Sequence, residues 1–169
     1  MRILGLDPGT HNVGYGVVEW QGNRARALAF GTLRPGREAT VATRLRAVHA
    51  DVCALIAEHG PDVVGVESLF AARSHSAALA VGQARGAVLV ACAGAGHDPI
   101  DCNPSTVKVA LTGTGRADKG QVRQMVVRLI VGAAPRNDHE ADALAVAYAV
   151  AGQAVARARG LATSGRVAR

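Results

Sequence analysis

Aromatic residues make up only 3% of this 169-residue chain, although hydrophobic residues as a whole make up 49%. A sizeable core must therefore be built from alanine, valine, leucine and isoleucine. The chain also lacks an apolar run of about 18 residues, the length that a membrane span requires. Its start, MRILGLDPGT, does not have the pattern of a secretory signal, because the short apolar stretch meets an aspartate at once. These features favour a single cytoplasmic domain with no membrane association.

Cysteine is also scarce. Cys53, Cys92 and Cys102 are odd in number and form no CxxC pair. The sequence therefore argues against a disulfide framework and against a zinc site. We interpret all three residues as ordinary buried thiols.

Lysine occurs only twice, at Lys108 and Lys119, among 19 basic residues. The net charge of +6 favours an anionic partner such as nucleic acid. Part of the excess lies in residues 152–169, which contain four arginines and no acidic residue. We predict a folded domain over residues 1–151 and a basic, disordered tail over residues 152–169.

Hydrophobic periodicity predicts both strands and helices. The predicted strands cover 3–7, 12–20, 24–34, 62–68 and 98–102, and the predicted helices cover 40–59, 75–95, a short segment with Val107 and Lys108, 119–131 and 138–151. Tight turns join the first three strands, which indicates an antiparallel meander. The later strand–helix–strand units require parallel crossovers. The sequence thus predicts an α/β protein with three α/β/α layers and a mixed five-stranded sheet.

Two acidic residues end apolar strands. Asp7 follows ILGL, and Glu67 follows DVVGV. A carboxylate in such a place is costly unless it is paired or binds a cation. If the first and fourth strands are parallel neighbours, both acids lie at the edge where open α/β sheets bind ligands. The alternative for Asp7 is a cap on the turn that follows it.

The last helix begins with further acidic residues, in NDHEADALA. Asp142 lies among apolar residues, and His139 shares its helix face, so we interpret both as site residues. Asp138 and Glu140 lie in the first turn, where acids complement the helix dipole, and we favour that role for them. Carboxylates without a His/Cys cage suit Mg²⁺ or Mn²⁺, and a neighbouring histidine favours Mn²⁺ without excluding Mg²⁺.

Four blocks of the sequence resemble, in order, those of the RuvC family of Holliday-junction resolvases. They are GLDPGTHNVGYGVV, VESLFAARSHSAALAVGQARG, NPSTVKVALTGTGRADKGQV and HEADALAVA. The resemblance implies a ribonuclease-H-like fold and a dimeric, Mg²⁺- or Mn²⁺-dependent endonuclease. Such an enzyme would nick two strands symmetrically across four-way junction DNA. The resemblance also implies association with a branch-migration helicase complex.

The resemblance assigns a catalytic role to four residues. The family's carboxylates fall on Asp7, Glu67 and Asp142, and a fourth acidic position falls on His139. We expect these residues to hold two metal ions, with Asp7 bridging them. Water would then attack the phosphorus and leave a 5′-phosphate and a 3′-hydroxyl.

The family's DNA-facing positions fall on Lys108, Lys119 and Phe70. Lys119 is predicted at a helix N-terminus, a natural phosphate site, and solvated surface charge is the alternative for both lysines. Phe70 would stack on an unpaired base, with core packing as its alternative. Arg73 and Ser74, which follow, would contact backbone phosphates.

The GQARG segment, residues 82–86, places two glycines inside a predicted helix. Each glycine weakens a helix by about 1 kcal/mol relative to alanine, which close packing would offset. The resemblance places this helix in or near a homodimer interface. Packing within the same subunit is the alternative.

Parts of the sequence are also compatible with three other classes of protein. Actin, sugar kinases and heat-shock ATPases also open with D-x-G-T after an apolar strand, but they need two such domains, and 169 residues are too few. A non-catalytic nucleic-acid-binding module would gain nothing from acids that repel phosphates. A ribonuclease-H-like nuclease acting on other branched nucleic acids is the nearest alternative.

Overall fold

The computed structural model describes residues 1–9, 11–36, 40–68 and 74–158. Its strands are β1 (Arg2–Pro8), β2 (Val13–Gln21), β3 (Arg24–Leu33), β4 (Val63–Glu67), β5 (Ile100–Cys102) and β6 (Ile130–Val131). Its helices are α1 (Val41–His59), α2 (His75–Gly94), α3 (Pro104–Thr112), α4 (Lys119–Leu129) and α5 (Asp138–Ala158). Every strand and helix predicted from the sequence is present.

The strands form one mixed sheet in the order β5-β4-β1-β2-β3-β6. β1, β2 and β3 make the predicted antiparallel meander, and β4, β5 and β6 join it through parallel pairs. The expectation of five strands was wrong by one. Ile130 and Val131, which form β6, continue the apolar spacing of α4, so the sequence pattern assigned them to that helix.

Alternate residues of the central strand β1 face opposite sides of the sheet. Ile3 packs in a core with α3, α4 and α5, whereas Leu4 and Leu6 pack in a second core with α1 and α2. This is the period of two that a strand buried on both faces shows. The predicted three-layer arrangement is confirmed.

A row of glycines crosses three strands beneath α5. Gly5 of β1 pairs with Gly16 of β2 and with Gly65 of β4. A Cβ atom on Gly5 would lie 2.2 Å from the carbonyl oxygen of Ala143, and one on Gly16 would lie 2.9 Å from the backbone nitrogen of Leu144. The missing side chains therefore allow α5 to lie directly on the sheet backbone.

The outer surface of α2 is apolar. Leu79 and Val90 are 64% and 62% exposed, whereas Val88 and Ala91 of the same helix are buried in the core with α1. The expectation that no apolar segment has the length of a membrane span needs correction at α2. By length and composition α2 could cross a membrane, and it is the one helix in the described part of the chain that could. Core helices of globular proteins meet the same criterion, and one face of α2 packs against α1 and β1.

The three cysteines are free thiols, as the sequence predicted. Cys92 and Cys102 are buried, and burial raises the pKa of the Cys92 thiol to about 11 and that of Cys102 to about 12. Cys53 is only half-buried, which corrects the expectation that all three are buried.

α5 is longer than the sequence predicted. It continues to Ala158, whereas the tail was expected to begin at residue 152. The alanine-rich sequence after Gly152 sustains the helix, because alanine has the highest helix propensity. Residues 159–169 lie outside the described residues, so a disordered basic tail stays a prediction for them.

Candidate metal centre

Asp7 and Glu67 lie at the carboxyl ends of two neighbouring parallel strands. The pairing of β1 with β4 ends at Leu6 and Val66, and the two acids come next. Each acid follows by two positions a glycine that lies beneath α5, so the period of a strand turns both side chains toward α5. The sequence-based expectation that these acids meet at one sheet edge is confirmed.

The start of α5 brings Asp142 and His139 to the same edge. One carboxylate oxygen from each of Asp7, Glu67 and Asp142 lies within 4.8 Å of the others. The close approach depends on Gly14, which pairs with Asp7 across the β1–β2 ladder. A Cβ atom on Gly14 would lie 2.1 Å from the carbonyl oxygen of His139. Three elements that are distant in the sequence thus form one three-carboxylate group.

The carboxylate group lies where negative charge is costly. Burial, with the neighbouring Asp7 and Asp142, raises the pKa of Glu67 to about 9. Burial and the neighbouring Asp7 raise the pKa of Asp142 to about 6. A divalent cation would offset both the desolvation and the mutual repulsion. The donors are carboxylate oxygens, so the group fits a hard cation.

His139 lies against Asp7. Its Nδ1 atom is 2.7 Å from Oδ2 of Asp7. This hydrogen bond raises the pKa of His139 above 6.5, against the opposing effect of burial. A ring held through Nδ1 has Nε2 as its remaining ligand atom. The contact of His139 in this structure is the one with Asp7. Its expected role as a metal ligand stays a prediction.

Lys119 lies between two acids of α5. Its Nζ atom is 3.1 Å from Oδ2 of Asp138 and 3.7 Å from Oδ2 of Asp142. Partial burial alone would lower the pKa of Lys119, but the carboxylates raise it overall, so the ammonium stays charged. Lys119 is fixed at the start of α4, where Asp118 and Gln121 form a capping box.

The two lysines of the chain lie beside the carboxylate group. Lys108 and Lys119 line a cavity of about 190 Å³ together with Glu67 and Asp142. The other lining residues are Pro104, Val107 and Val122. Positive charge on α3 and α4 is therefore placed next to the acids of β4 and α5.

Glu140 makes more contacts than the sequence pattern predicts for it. It is 1% exposed, and its carboxylate accepts hydrogen bonds from the backbone N–H and guanidinium of Arg136 and from the side chain of Asn137. Burial would raise the pKa of Glu140, but the hydrogen bonds from Arg136 lower it overall. Asn137 accepts from the backbone N–H of Glu140 and also bonds to Thr32 on β3. Glu140 thus anchors the start of α5, beyond the dipole role expected for it. The signal for this role in the sequence is the spacing of Asn137 and Glu140, which is that of a capping box.

Three predicted DNA contacts fall in or before the N-cap of α2. Ser74 is the N-cap itself: its hydroxyl accepts from the backbone N–H of Ala77 and lies 3.0 Å from the hydroxyl of Ser76. Phe70 and Arg73 lie outside the described residues. A role in DNA binding stays a prediction for all three.

Comparison with known proteins extends over nearly the whole chain. The family described as Crossover junction endodeoxyribonuclease RuvC matches residues 3–150. The RuvC protein of Heliobacterium modesticaldum is 49% identical over 152 residues, which cover 89% of this chain and 94% of that protein. The RuvC protein of Moorella thermoacetica is 42% identical over 167 residues, covering 98% of this chain and 100% of that protein.

Solved structures agree with this result. Thermus thermophilus RuvC in complex with Holliday junction substrate superposes with a TM-score of 0.87 at 37% identity, covering 96% of this chain and 98% of that one. The yeast mitochondrial Holliday junction resolvase Ydc2 has a TM-score of 0.67 at 11% identity, covers 88% of this chain and 76% of that one, and shows likeness of fold alone. The ribonuclease-H-like fold expected from the sequence is confirmed, and the chain belongs to the RuvC family.

Proposed function

We propose that this chain is a Holliday-junction resolvase, a metal-dependent endodeoxyribonuclease that hydrolyses one phosphodiester bond in each of two opposed strands of a four-way DNA junction. The observation that carries the proposal is the convergence of Asp7, Glu67 and Asp142 beside the two lysines. The Thermus thermophilus relative, seen with a Holliday junction substrate, supports the choice of DNA. The activity belongs to homologous recombination and DNA repair in the cytoplasm.

The cofactor is Mg²⁺ or Mn²⁺, with two ions at each site. Asp7, Glu67, Asp142 and His139 would hold the ions. Bound ions of this kind activate water and stabilise charge on a leaving oxygen. The raised pKa values of Glu67 and Asp142 support this assignment, because among the described residues the charge of Lys119 does not offset burial and the repulsion between the carboxylates.

The chain's own residues bind and orient the scissile phosphate. Three carboxylates alone would repel it, and the ammonium groups of Lys108 and Lys119 attract it. His139 holds the Asp7 carboxylate in one orientation through their hydrogen bond. Water attacks the phosphorus, the bond to the 3′ oxygen breaks, and that oxygen takes up a proton. The products are a 5′-phosphate and a 3′-hydroxyl.

The enzyme acts as a homodimer, because an open four-way junction is two-fold symmetric and must be cut twice. The apolar outer face of α2 supports this step, with Leu79 and Val90 mostly exposed. Among the described residues, no atom would lie within 4 Å of a Cβ atom added to Gly86 of the GQARG segment. Packing against that part of the subunit therefore does not explain this glycine. Association with a branch-migration helicase complex follows from the family resemblance.

The test is cleavage of a synthetic four-way junction by the full chain with Mg²⁺ and, separately, with Mn²⁺. We expect paired nicks at symmetric positions and no cleavage in EDTA. Flap, duplex and RNA–DNA hybrid substrates of the same sequence separate a resolvase from a nuclease with another branched substrate. Preferred cleavage of a flap or hybrid would contradict the proposal.

The matched variants are Asp7→Asn and Glu58→Gln. Asp7→Asn keeps the size of the side chain but removes its charge, so we expect loss of cleavage with junction binding retained. Glu58, on α1, is an acid whose side chain is 72% exposed on the opposite face of the sheet. Glu58→Gln should cleave as the wild type does. Cleavage by Asp7→Asn at the wild-type rate would remove Asp7 from the metal centre.

A further inference from the structure

Asp138 is an acid beside the metal centre that the centre does not use. Its carboxylate lies outside the group in which Asp7, Glu67 and Asp142 come within 4.8 Å of one another. Its side chain is 56% exposed, and its ion pair in the described part of the chain is with Lys119, at 3.1 Å. This contact is shorter than the 3.7 Å between Lys119 and Asp142.

The ion pair between Lys119 and Asp138 joins the first residues of two helices. Lys119 is the first residue of α4, and Asp138 is the first residue of α5. A cation at a helix N-terminus is disfavoured by the helix dipole, whereas an anion there is favoured. Lys119 therefore needs a negative partner close by, and Asp138 supplies one. A DNA phosphate would satisfy the same need, so carboxylate and phosphate compete for one ammonium group.

Binding of cations changes this competition. Without them, Lys119 is held by Asp138 and Asp142 together. Cations held by the carboxylate group would neutralise Asp142 and leave Asp138 as the remaining partner. An exposed ion pair of this kind contributes little to stability, so a phosphate would then displace Asp138 from Lys119 readily.

We propose that Asp138 is a positioning residue that holds Lys119 away from DNA in the metal-free protein and releases it once cations are bound. The inference rests on the proposed function. It couples cation binding to junction binding, and such coupling is reciprocal: each ligand raises the affinity for the other. The protein that has bound its cations, which is the form able to cleave, therefore binds junction DNA more tightly than the metal-free protein does.

The test measures junction binding without cleavage. Fluorescence anisotropy of a labelled four-way junction gives Kd for the full chain in EDTA and in Ca²⁺, with a gel to verify intact DNA. In EDTA, we expect Asp138→Asn to bind about two- to fivefold more tightly than the wild type. We also expect its dependence of log K on log salt to be steeper by about 0.9, the effect of one added phosphate contact. In Ca²⁺ the difference should shrink.

A second pair of variants separates this role from simple charge repulsion. Removing any acid near DNA strengthens binding, so Asp138→Asn is repeated in a Lys119→Met background, with Glu58→Gln as the charge control. We expect the change in that background to fall to the level of the control. Equal tightening with and without Lys119 would overturn the inference. If the wild type cleaves junctions and Asp138→Asn binds in EDTA as the wild type does, the inference fails and the proposed function stands. If the wild type does not bind junctions, both fail.

Discussion

The Nδ1 atom of His139 lies 2.7 Å from Oδ2 of Asp7, although 132 residues separate them in the sequence. The contact joins the first strand of the sheet to the last helix at the point where the carboxylates meet. It orients Asp7 before any cation is bound. A site whose ligands are already oriented loses less entropy when it binds a cation. His139 therefore acts on the site through Asp7.

His139→Asn should destabilise the metal-free protein more at pH 6 than at pH 9. The hydrogen bond to Asp7 raises the pKa of His139 above 6.5. The stabilisation is therefore fully present below pH 6.5 and is lost as the pH rises through the raised pKa. Because His139 is 37% exposed, we expect about 1 kcal/mol at pH 6, or a fall in Tm of about 2–4 °C. Thermal unfolding in EDTA measures it.

The control is His97→Asn, at the opposite edge of the sheet. His97 lies in the turn between α2 and β5. We expect its substitution to lower Tm at pH 6 less than His139→Asn does, because it leaves the contact between His139 and Asp7 intact. An equal loss of stability at both pH values for His139→Asn would show that the ring packs at its site without forming a charged pair with Asp7.

Glu67→Gln should stabilise the metal-free protein at pH 8 while it abolishes cleavage. The pKa of Glu67 is raised from 4.5 to about 9, chiefly by burial. The folded state then holds a proton that the unfolded state has lost, so stability falls as the pH rises from 4.5 to about 9. Glutamine has no such proton, and the fall should be smaller in the variant. Tm in EDTA at pH 6 and pH 8 measures the difference.

Addition of Mn²⁺ or Mg²⁺ completes this experiment. Cations bind the ionised carboxylates, so they should raise the Tm of the wild type more at pH 8 than at pH 6. The Glu67→Gln variant should show a much smaller rise. A variant with the same cation-dependent rise as the wild type would place the ions elsewhere.

Much of the site was predictable because it depends on strand periodicity. Asp7 and Glu67 interrupt apolar strands, and the period of two together with the parallel pairing of β1 and β4 turns both toward the same helix. Asp142 was found in the same way, as an acid on an apolar helix face. These features can be read from short segments of the sequence. The one further assumption is that the first and fourth strands are parallel neighbours in the sheet.

The remaining features depend on tertiary distances that no local pattern encodes. The contact between His139 and Asp7 requires α5 to lie on the backbone of Gly14. The burial of Glu140 comes with contacts from Arg136 and Asn137, which donate hydrogen bonds to its carboxylate. β6 was missed for a different reason, since two apolar residues after a helix look like another half-turn of that helix.

Glu140→Ala should lower the stability of the protein by about 2–3 kcal/mol, the loss expected when buried hydrogen-bonding groups lose a charged partner. Glu140 is 1% exposed and accepts a 2.8 Å hydrogen bond from the backbone N–H of Arg136. Glu140→Gln keeps an acceptor oxygen and should lose less. Because hydrogen bonds lower the pKa of Glu140, its contribution should be present above pH 4.5 and disappear as the pH falls through the lowered value.

Glu58→Ala is the control for that measurement, since an exposed charge contributes little. Denaturant unfolding at pH 7 and at pH 3 gives the free energies of all three variants. If Glu140→Ala and Glu58→Ala were equally stable at pH 7, the hydrogen bonds around Arg136 would have no part in holding the start of α5.

Val90→Arg should convert the proposed dimer to a monomer. Val90 is 62% exposed on the apolar outer face of α2, and a guanidinium there would have to be buried without a partner if two copies packed through this face. The matched control is Val131→Arg, because Val131 is 63% exposed but lies on the edge strand β6. Sedimentation velocity at several protein concentrations distinguishes the species. A Val90→Arg protein that sediments as the wild type does, or a Val131→Arg protein that alone dissociates, would move the interface away from α2. Junction cleavage adds a second measurement, since a monomer has one site and should produce single nicks where the dimer produces paired ones.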